Sequence, residues 1–356
     1  MSTLSLRVLN RALLQRQFLL ARTEHTPLEV IRRLVAMQAQ EPNWPFIGLW
    51  SRIREFEHAG LTTLLEDRRV VRSVLLRGTQ HLTRADDFRR FRPLLQPVLD
   101  RTASAAYFSR NSAGLDTGEL VAAGLEFLGD QVMPRRELAR RLAERYQDRD
   151  GRILAGEVEM RSALIHDLAT AGWGAWGIRP SVSVTAVGVG EPANAMELIR
   201  RYLAAFGPAS VKDVQAWSGL TRLSEIVASM SGELRRYRDP HGKELVDLAD
   251  AQVPDADTPA PVRLLPAYDN ALLGHADRTR IIADEDRKRI MPGRALVLPT
   301  FLVDGRVHGS WSLSGGELRL TPFRPLTVDD RAALEDEAQR LLPFVAAESV
   351  SFPARS

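Results

Sequence analysis

The sequence predicts an α+β protein built from tandem winged-helix (helix-turn-helix) modules followed by a C-terminal β-rich domain. Three observations carry that expectation: amphipathic helices followed by a β-hairpin recur along the chain, the sharpest copy has helix-turn-helix spacing, and the last part of the chain switches to two-residue alternation. In the first module, residues 1–115, Leu9, Leu13 and Leu20 lie at helical spacing and predict a helix over 6–22. Leu28, Ile31, Leu34 and Val35 repeat the pattern after Thr26-Pro27, so a second helix is expected over 28–40. It must stop there, because Pro42 disfavours helical geometry at Glu41. A third helix is expected from about 46 to 56. Val70 to Leu76 is β-branched and apolar, Gly78 breaks it, and Gln80-His81-Leu82-Thr83 returns as a second strand.

The same order recurs over 116–192. Helical periodicity covers 118–147, with Pro134 opening the stretch Arg135 to Tyr146, and a further helix is expected at about 155–170. Trp173-Gly174-Ala175-Trp176-Gly177 then leads into Ser181-Val182-Ser183-Val184, a candidate wing. In the third module, 193–252, helix 194–206 ends at Gly207-Pro208, Ser210 caps Val211 to Trp217, Ser218-Gly219 turns, and Thr221 is expected to cap a short helix to about Met230. Leu234 to Arg238, Asp239-Pro240-His241-Gly242 and Lys243 to Leu248 read as strand, turn and strand. Val253 to Pro261 has no apolar period and is expected to be a linker. In the domain over 260–356, Ala295 to Val303, the Asp304-Gly305 turn and Arg306 to Leu313 predict a hairpin, Glu317 to Thr321 adds a strand, and a helix over 327–345 closes the chain.

At 356 residues, 44% hydrophobic and 26% charged, the chain is long enough for two or three cores. No apolar run reaches the roughly 18 residues that span a bilayer. Arginines interrupt the start where a signal peptide needs an apolar run, so no membrane partner and a cytoplasmic, nucleoid-associated location are expected. With no cysteine, disulfides, thiolate metal sites and a cysteine nucleophile are excluded. The seven histidines are dispersed, and phosphate-cradling Gly loops, H-E-x-x-H and G-x-S-x-G are all missing, so neither a metal nor a cofactor is expected. The formal charge of +3 is uneven: residues 1–110 hold 18 Arg against 10 acidic residues, the rest 30 basic against 35 acidic. A basic front suits a polyanion, with Arg gripping phosphate through two hydrogen bonds; a GC-rich genome would also favour Arg.

Gln38-Ala39-Gln40 stands out. Gln38 continues the stripe of Ile31, Leu34 and Val35, so it points toward an interior or a cleft, where an amide needs partners for both ends. One reading is a helix-terminal Gln bonded to backbone; the other is a pair of amides that hold a water or a sugar.

Met37-Gln38-Ala39-Gln40-Glu41-Pro42, Pro45 to Arg52, Leu76-Arg77-Gly78-Thr79-Gln80-His81-Leu82 and Arg92 to Leu99 resemble the bacterial winged-helix AlkZ-type DNA glycosylases. Ala205 to Ser210, Gln215 to Thr221, Tyr268 to Arg280 and Thr300 to Val307 are similar to the same family, leaving 100–195 as the weakest stretch. The resemblance implies three winged-helix modules and a β-rich part around a concave basic duplex-binding surface, with Gln38 and Gln40 as the catalytic pair. Gln-x-Asp relatives are linked to broader alkylation and crosslink repair; Gln-x-Gln members are associated with self-resistance to DNA-alkylating natural products.

The chemistry is consistent with two amides. Alkylation at purine N7 makes the base cationic, so it leaves neutral without protonation, and the enzyme need only orient a water and stabilise an oxocarbenium-like sugar. No lysine lies near the motif to form a Schiff base, so a monofunctional glycosylase is expected, acting as a monomer on double-stranded DNA with alkylated purines. Candidate DNA contacts are Arg77, His81 and Arg84 beside the first wing, His275 and Arg278 in the His-Ala-Asp-Arg segment, and Arg306 and His308 on one face of the Asp-Gly hairpin. A solvated hairpin, an internal pairing of Asp277 with Arg278 or Arg280, and a plain edge strand would read the same. The tryptophans read as core. The competing function is a non-catalytic winged-helix regulator, or a scaffold in a repair complex.

Overall fold

The computed structural model describes residues 1–174, 183–293 and 295–353 and is a mixed α+β fold of four open sheets. The first helix, Leu6–Arg16, is capped by Ser5, which accepts from the Val8 amide. It ends short of residue 22 because Gln17 turns its side-chain amide to the Ala205 carbonyl at 2.7 Å and Phe18 takes φ 56°. The helix packs on the third unit: Arg16 forms a buried bidentate pair with Asp247, both bonds 2.7 Å.

The second helix, Pro27–Leu34, opens on a reciprocal capping box between Thr26 and Glu29 and stops at Val35, φ 69°. The chain then enters a strand, Ala36–Gln38, so the expected helix over 28–40 is corrected at its last turn. Val35, Ala36 and Met37 fit either periodicity, and tertiary pairing decides. The strand lies antiparallel to Gln80–Arg84, which also pairs with Val70–Val74. The Thr83 hydroxyl and the Asn270 amide satisfy the carbonyls of Val35 and Ala36 at 2.7 and 2.6 Å. The third helix is Trp44–Trp50, earlier and shorter than expected.

In the second unit, helices Thr117–Leu128, Arg135–Arg145 and Gly151–Arg161 accompany a sheet of Met133–Pro134, Ser183–Ala186 and Leu164–His166. The helix expected to run to 170 therefore breaks for that last strand. Of the candidate wing, Ser183 and Val184 lie in a strand, whereas Trp176, Ser181 and Val182 lie outside the described residues. The Ser73 hydroxyl donates to the Leu164 carbonyl at 2.5 Å and joins this sheet to the first.

The third unit follows the sequence closely. Ala195–Phe206 precedes Val211–Ser218, which is capped by a Ser210–Asp213 box and closed by Gly219 at φ 81°. The next helix is Ser224–Ser229 with no side-chain cap, so Thr221 does not have that role. The hairpin Leu234–Arg238 and Glu244–Leu248 gains Ser2–Thr3 as a parallel edge. Residues 253–261 form no helix or strand, and Arg7 and Arg11 tie them down through the carbonyls of Ala256 and Thr258.

The last sheet has five strands in the order Arg263–Leu265, Thr300–Val303, Arg306–Ser314, Glu317–Pro322 and Ser349–Ser351, packed on the helix Val328–Val345. The expected hairpin forms, though its first strand begins at Thr300. Asp304 and Gly305 both take positive φ, 46° and 76°, as a tight two-residue turn demands. Cores cross unit boundaries: Ile31, Phe46 and Leu49 share one with Phe301, Trp311 and Leu341, while Leu13, Phe88, Tyr202 and Leu272 share another. Among the described residues no helix is long and apolar enough to cross a membrane.

Candidate active site

The Ala36–Gln38 strand delivers Gln38 to an open pocket of about 340 Å³ lying between the first sheet, the helix Val211–Ser218, and the Tyr268–Val297 segment. Its described polar lining is Gln38, Arg77, Thr79, Tyr268, His275 and Arg278; the remaining lining side chains are Ala, Leu, Met, Gly and Val. Four of the sequence-predicted residues, Gln38, Arg77, His275 and Arg278, are therefore brought together from distant parts of the chain.

Arg77 fixes the orientation of Gln38. It sits at φ 55° in the turn of the first hairpin and reaches the Trp217 carbonyl through one nitrogen and Gln38 Oε1 through another at 3.3 Å. A guanidinium only donates, so the Gln38 oxygen faces Arg77 and its NH2 is turned away. Burial, and then the neighbouring charge of Arg278, lower Arg77 to about 10, which still leaves it cationic at neutral pH. Arg278 is half-buried, donates to the Met291 sulfur at 3.5 Å, and has a buried Nε without a partner among the described residues. Asp277 instead caps Thr279, accepting from its amide and its hydroxyl. His275 contributes a wall but no free proton carrier: its Nε2 donates to the Phe206 carbonyl at 3.1 Å, and burial followed by the charge of Arg280 pushes its imidazole well down.

The other predicted residues lie elsewhere. Gln40 is exposed just beyond the described lining, two residues from Gln38; the Ala39 amide still bonds the Gln80 carbonyl at 2.8 Å. The strand ends at Gln38, and Gln40 lies in the bend that follows it, with Ala39 buried between the two glutamines. His81 is the cross-strand neighbour of Gln38 but is 2% exposed, so its proposed place on a wing surface is corrected: it is interior. Its Nδ1 donates to the Thr79 carbonyl at 2.8 Å, and burial, then Arg77, lower it to about 3. Arg84 bonds Asp86 at the start of the helix Ala85–Ala103. Arg306 and His308 do share a face, yet each is turned to a backbone carbonyl of its own chain, Thr279 at 3.0 Å and Arg324 at 3.3 Å, and neither lines the pocket. Trp50, Trp217 and Trp311 are buried as expected.

Sequence reasoning missed Tyr268, whose φ of 60° holds a non-glycine residue in a costly conformation at the pocket wall, and Asn270, which clamps the Gln38 strand. It also missed Arg72, whose signal was a charge inside the apolar run Val70 to Leu76.

The sequence pattern described as DNA glycosylase AlkZ-like matches residues 31–344. An interstrand DNA cross-link repair glycosylase of Streptomyces sahachiroi is 27% identical over 361 residues, covering 91% of this chain and 92% of that protein. The solved structure of Streptomyces sahachiroi DNA glycosylase AlkZ shares the fold with a TM-score of 0.79, covering 98% of this chain and 100% of that one at 23% identity. The class these matches share is the DNA glycosylases, enzymes that act on DNA in its repair. The chain belongs to the AlkZ-like DNA glycosylase family, which sets aside the alternative of a non-catalytic regulator.

Proposed function

We propose that the chain is a monofunctional glycosylase that hydrolyses the N-glycosidic bond of N7-alkylated, cationic purines in duplex DNA, with Gln38 and Gln40 as the pair that holds the attacking water. The observation that carries this reading is the chemistry of the pocket: its described lining has no carboxylate and no lysine, and its one histidine is committed to a backbone carbonyl. Such a lining offers no carboxylate and no free imidazole to act as a strong base or to protonate the leaving base. The substrate must bring its own activation, as a positively charged base does.

The two guanidiniums favour the same outcome. Near Arg77 and Arg278 a cationic base is destabilised, and cleavage relieves that repulsion because the base departs neutral while charge moves to the sugar. Water donates to the second lone pair of Gln38 Oε1, the first being taken by Arg77. Repulsion between the guanidiniums and deoxyribose phosphates is absent, so the same arginines attract the backbone.

The three smaller sheets with their helices are read as winged-helix modules over 1–115, 116–192 and 193–252, with 260–356 as the β-rich domain. The pocket is open rather than enclosed, which suits bulky N7 adducts, including those of DNA-alkylating antibiotics, and the interstrand cross-link repair named for the Streptomyces relative. Self-resistance is the role this implies.

The test is a duplex carrying one N7-methylguanine, incubated with enzyme and then cut with alkali at abasic sites. Wild type is expected to release the base, and Gln38→Ala and Gln40→Ala each to lose about a hundredfold or more in rate. Full activity in both variants, or no release from either a methyl or a bulky N7 adduct, overturns the proposal.

A further inference from the structure

Bonded to the backbone of the Gln-x-Gln segment, and outside the pocket lining, is a chain of buried polar groups for which the proposed chemistry has no direct use. Arg72, 5% exposed in the Val70–Val74 strand, donates from Nε to the Ala39 carbonyl at 2.8 Å and from NH2 to the Gln40 carbonyl at 3.1 Å. Its third nitrogen meets His166 Nδ1 at 2.5 Å. Since Arg only donates, Nδ1 must accept, and the His166 proton is on Nε2, where it is donated to Glu159 Oε1 at 2.8 Å. Glu159 also accepts from the Gln80 amide at 2.9 Å and from Arg135 Nε at 3.1 Å. Burial opposes ionisation of Glu159, but the bond from His166 and the charge of Arg135 outweigh it and lower its carboxyl to about 2. Arg72 is lowered by burial to about 10, with Glu159 and Glu41 opposing, and remains a cation.

We propose that Arg72, His166 and Glu159 are positioning residues for the glycosylase reaction, a buried relay that sets the backbone of Ala39 and Gln40 and so the place of the Gln40 amide. The inference rests on the reading of Gln38 and Gln40 as the water-holding pair. Three features support it. The planar fork of Arg72 spans two successive carbonyls at the point where the Ala36–Gln38 strand ends, so no sheet partner fixes Gln40 there. The neutral imidazole lies between a cation and an anion, and each ring nitrogen has a single partner, so the tautomer holds both neighbours in register. Finally, His166 and Glu159 come from the second unit while Gln38 and Gln40 come from the first, so the docking of the two units and the geometry of the pair are one event. None of the three residues lines the pocket, so none touches a base or sugar seated there.

The experiment measures single-turnover release of N7-methylguanine from duplex DNA at saturating enzyme, beside the dissociation constant for the same duplex and the thermal unfolding midpoint. The full-length variants are Arg72→Lys, His166→Ala, His166→Gln and Glu159→Gln. Misplacing a reacting group by about 1 Å costs on the order of a hundredfold. Arg72→Lys, which cannot span both carbonyls, and His166→Ala are expected to lose about ten- to a hundredfold in the release rate with DNA affinity changed less than about twofold. His166→Gln, whose amide can accept from Arg72 and donate to Glu159, is expected to recover most of the rate. Should His166→Ala fail to fold, the isosteric Glu159→Gln carries the test, with a smaller loss in the same direction. A wild-type rate in the folded variants, a loss accounted for by weaker DNA binding, or a His166→Gln rate no better than that of His166→Ala overturns the relay. Failure of wild type to release any base would instead overturn the glycosylase reading itself.

Discussion

A guanidinium sets the direction of the pocket's amide. Arg77 donates to the oxygen of Gln38 and to the Trp217 carbonyl, so one side chain orients the amide and ties the first unit to the third. Lysine in its place keeps the charge but loses the planar fork. Arg77→Lys is therefore expected to lower the release rate about tenfold while DNA affinity falls much less, read by single-turnover kinetics beside a binding titration. An affinity loss with an unchanged rate would show that Arg77 binds phosphate and leaves Gln38 alone. The cleft-facing direction of Gln38 was legible in the sequence, since it lines the pocket; Gln40 is not among the lining residues. The element was not legible. The expected helix gives way to the strand Ala36–Gln38, and it is this strand that carries Gln38 into the pocket.

At the scale of elements, the legible parts were those where a local signal and the tertiary fold agree. The Ser210 box, the Ser218-Gly219 turn and the Asp304-Gly305 hairpin each carry their own chemistry, and each forms. The turn of the last hairpin is held further by Arg7 and Arg11, both of which bond the Asp304 carboxylate. The misplaced elements were those decided by partners far away in sequence. Ala36–Gln38 becomes a strand because Gln80–Arg84 and Asn270 offer it bonds, and Leu164–His166 leaves its expected helix to pair with Ser183–Ala186. No window of neighbouring residues contains either reason. His81 was misplaced in the same way: its strand was right, but the face it occupies is covered by the rest of the molecule.

For the whole molecule, arginine does more than attract DNA. Arg11, Arg16, Arg52, Arg72 and Arg92, all from the basic front, are buried and bind groups of distant segments, as in the bidentate Arg52–Asp269 pair at 2.8 and 2.9 Å. The charge excess read from the sequence is thus partly structural. Burial also lowers five histidines: His58, His81, His166, His275 and His308. Each takes up its proton at a lower pH in the folded chain than in the unfolded chain, whose histidines protonate around the ordinary value of about 6.5. The unfolded state then binds more protons, so stability is complete above that value and is lost as pH falls, before carboxylates contribute. The unfolding midpoint is expected to drop steadily from pH 6.5 to 5, with His81 alone contributing on the order of 1 kcal/mol per pH unit. A midpoint flat across that window would show that these imidazoles are solvated.

With no carboxylate and no free imidazole among the described lining residues, the leaving base is proposed to bring its own positive charge. The most direct measurement compares release of N7-methylguanine with release of a neutral base, hypoxanthine, from duplexes of otherwise identical sequence. Rapid release of the cationic base, dependent on Gln38, is expected, and none of the neutral one above spontaneous loss. Comparable, Gln38-dependent release of both would contradict the proposal.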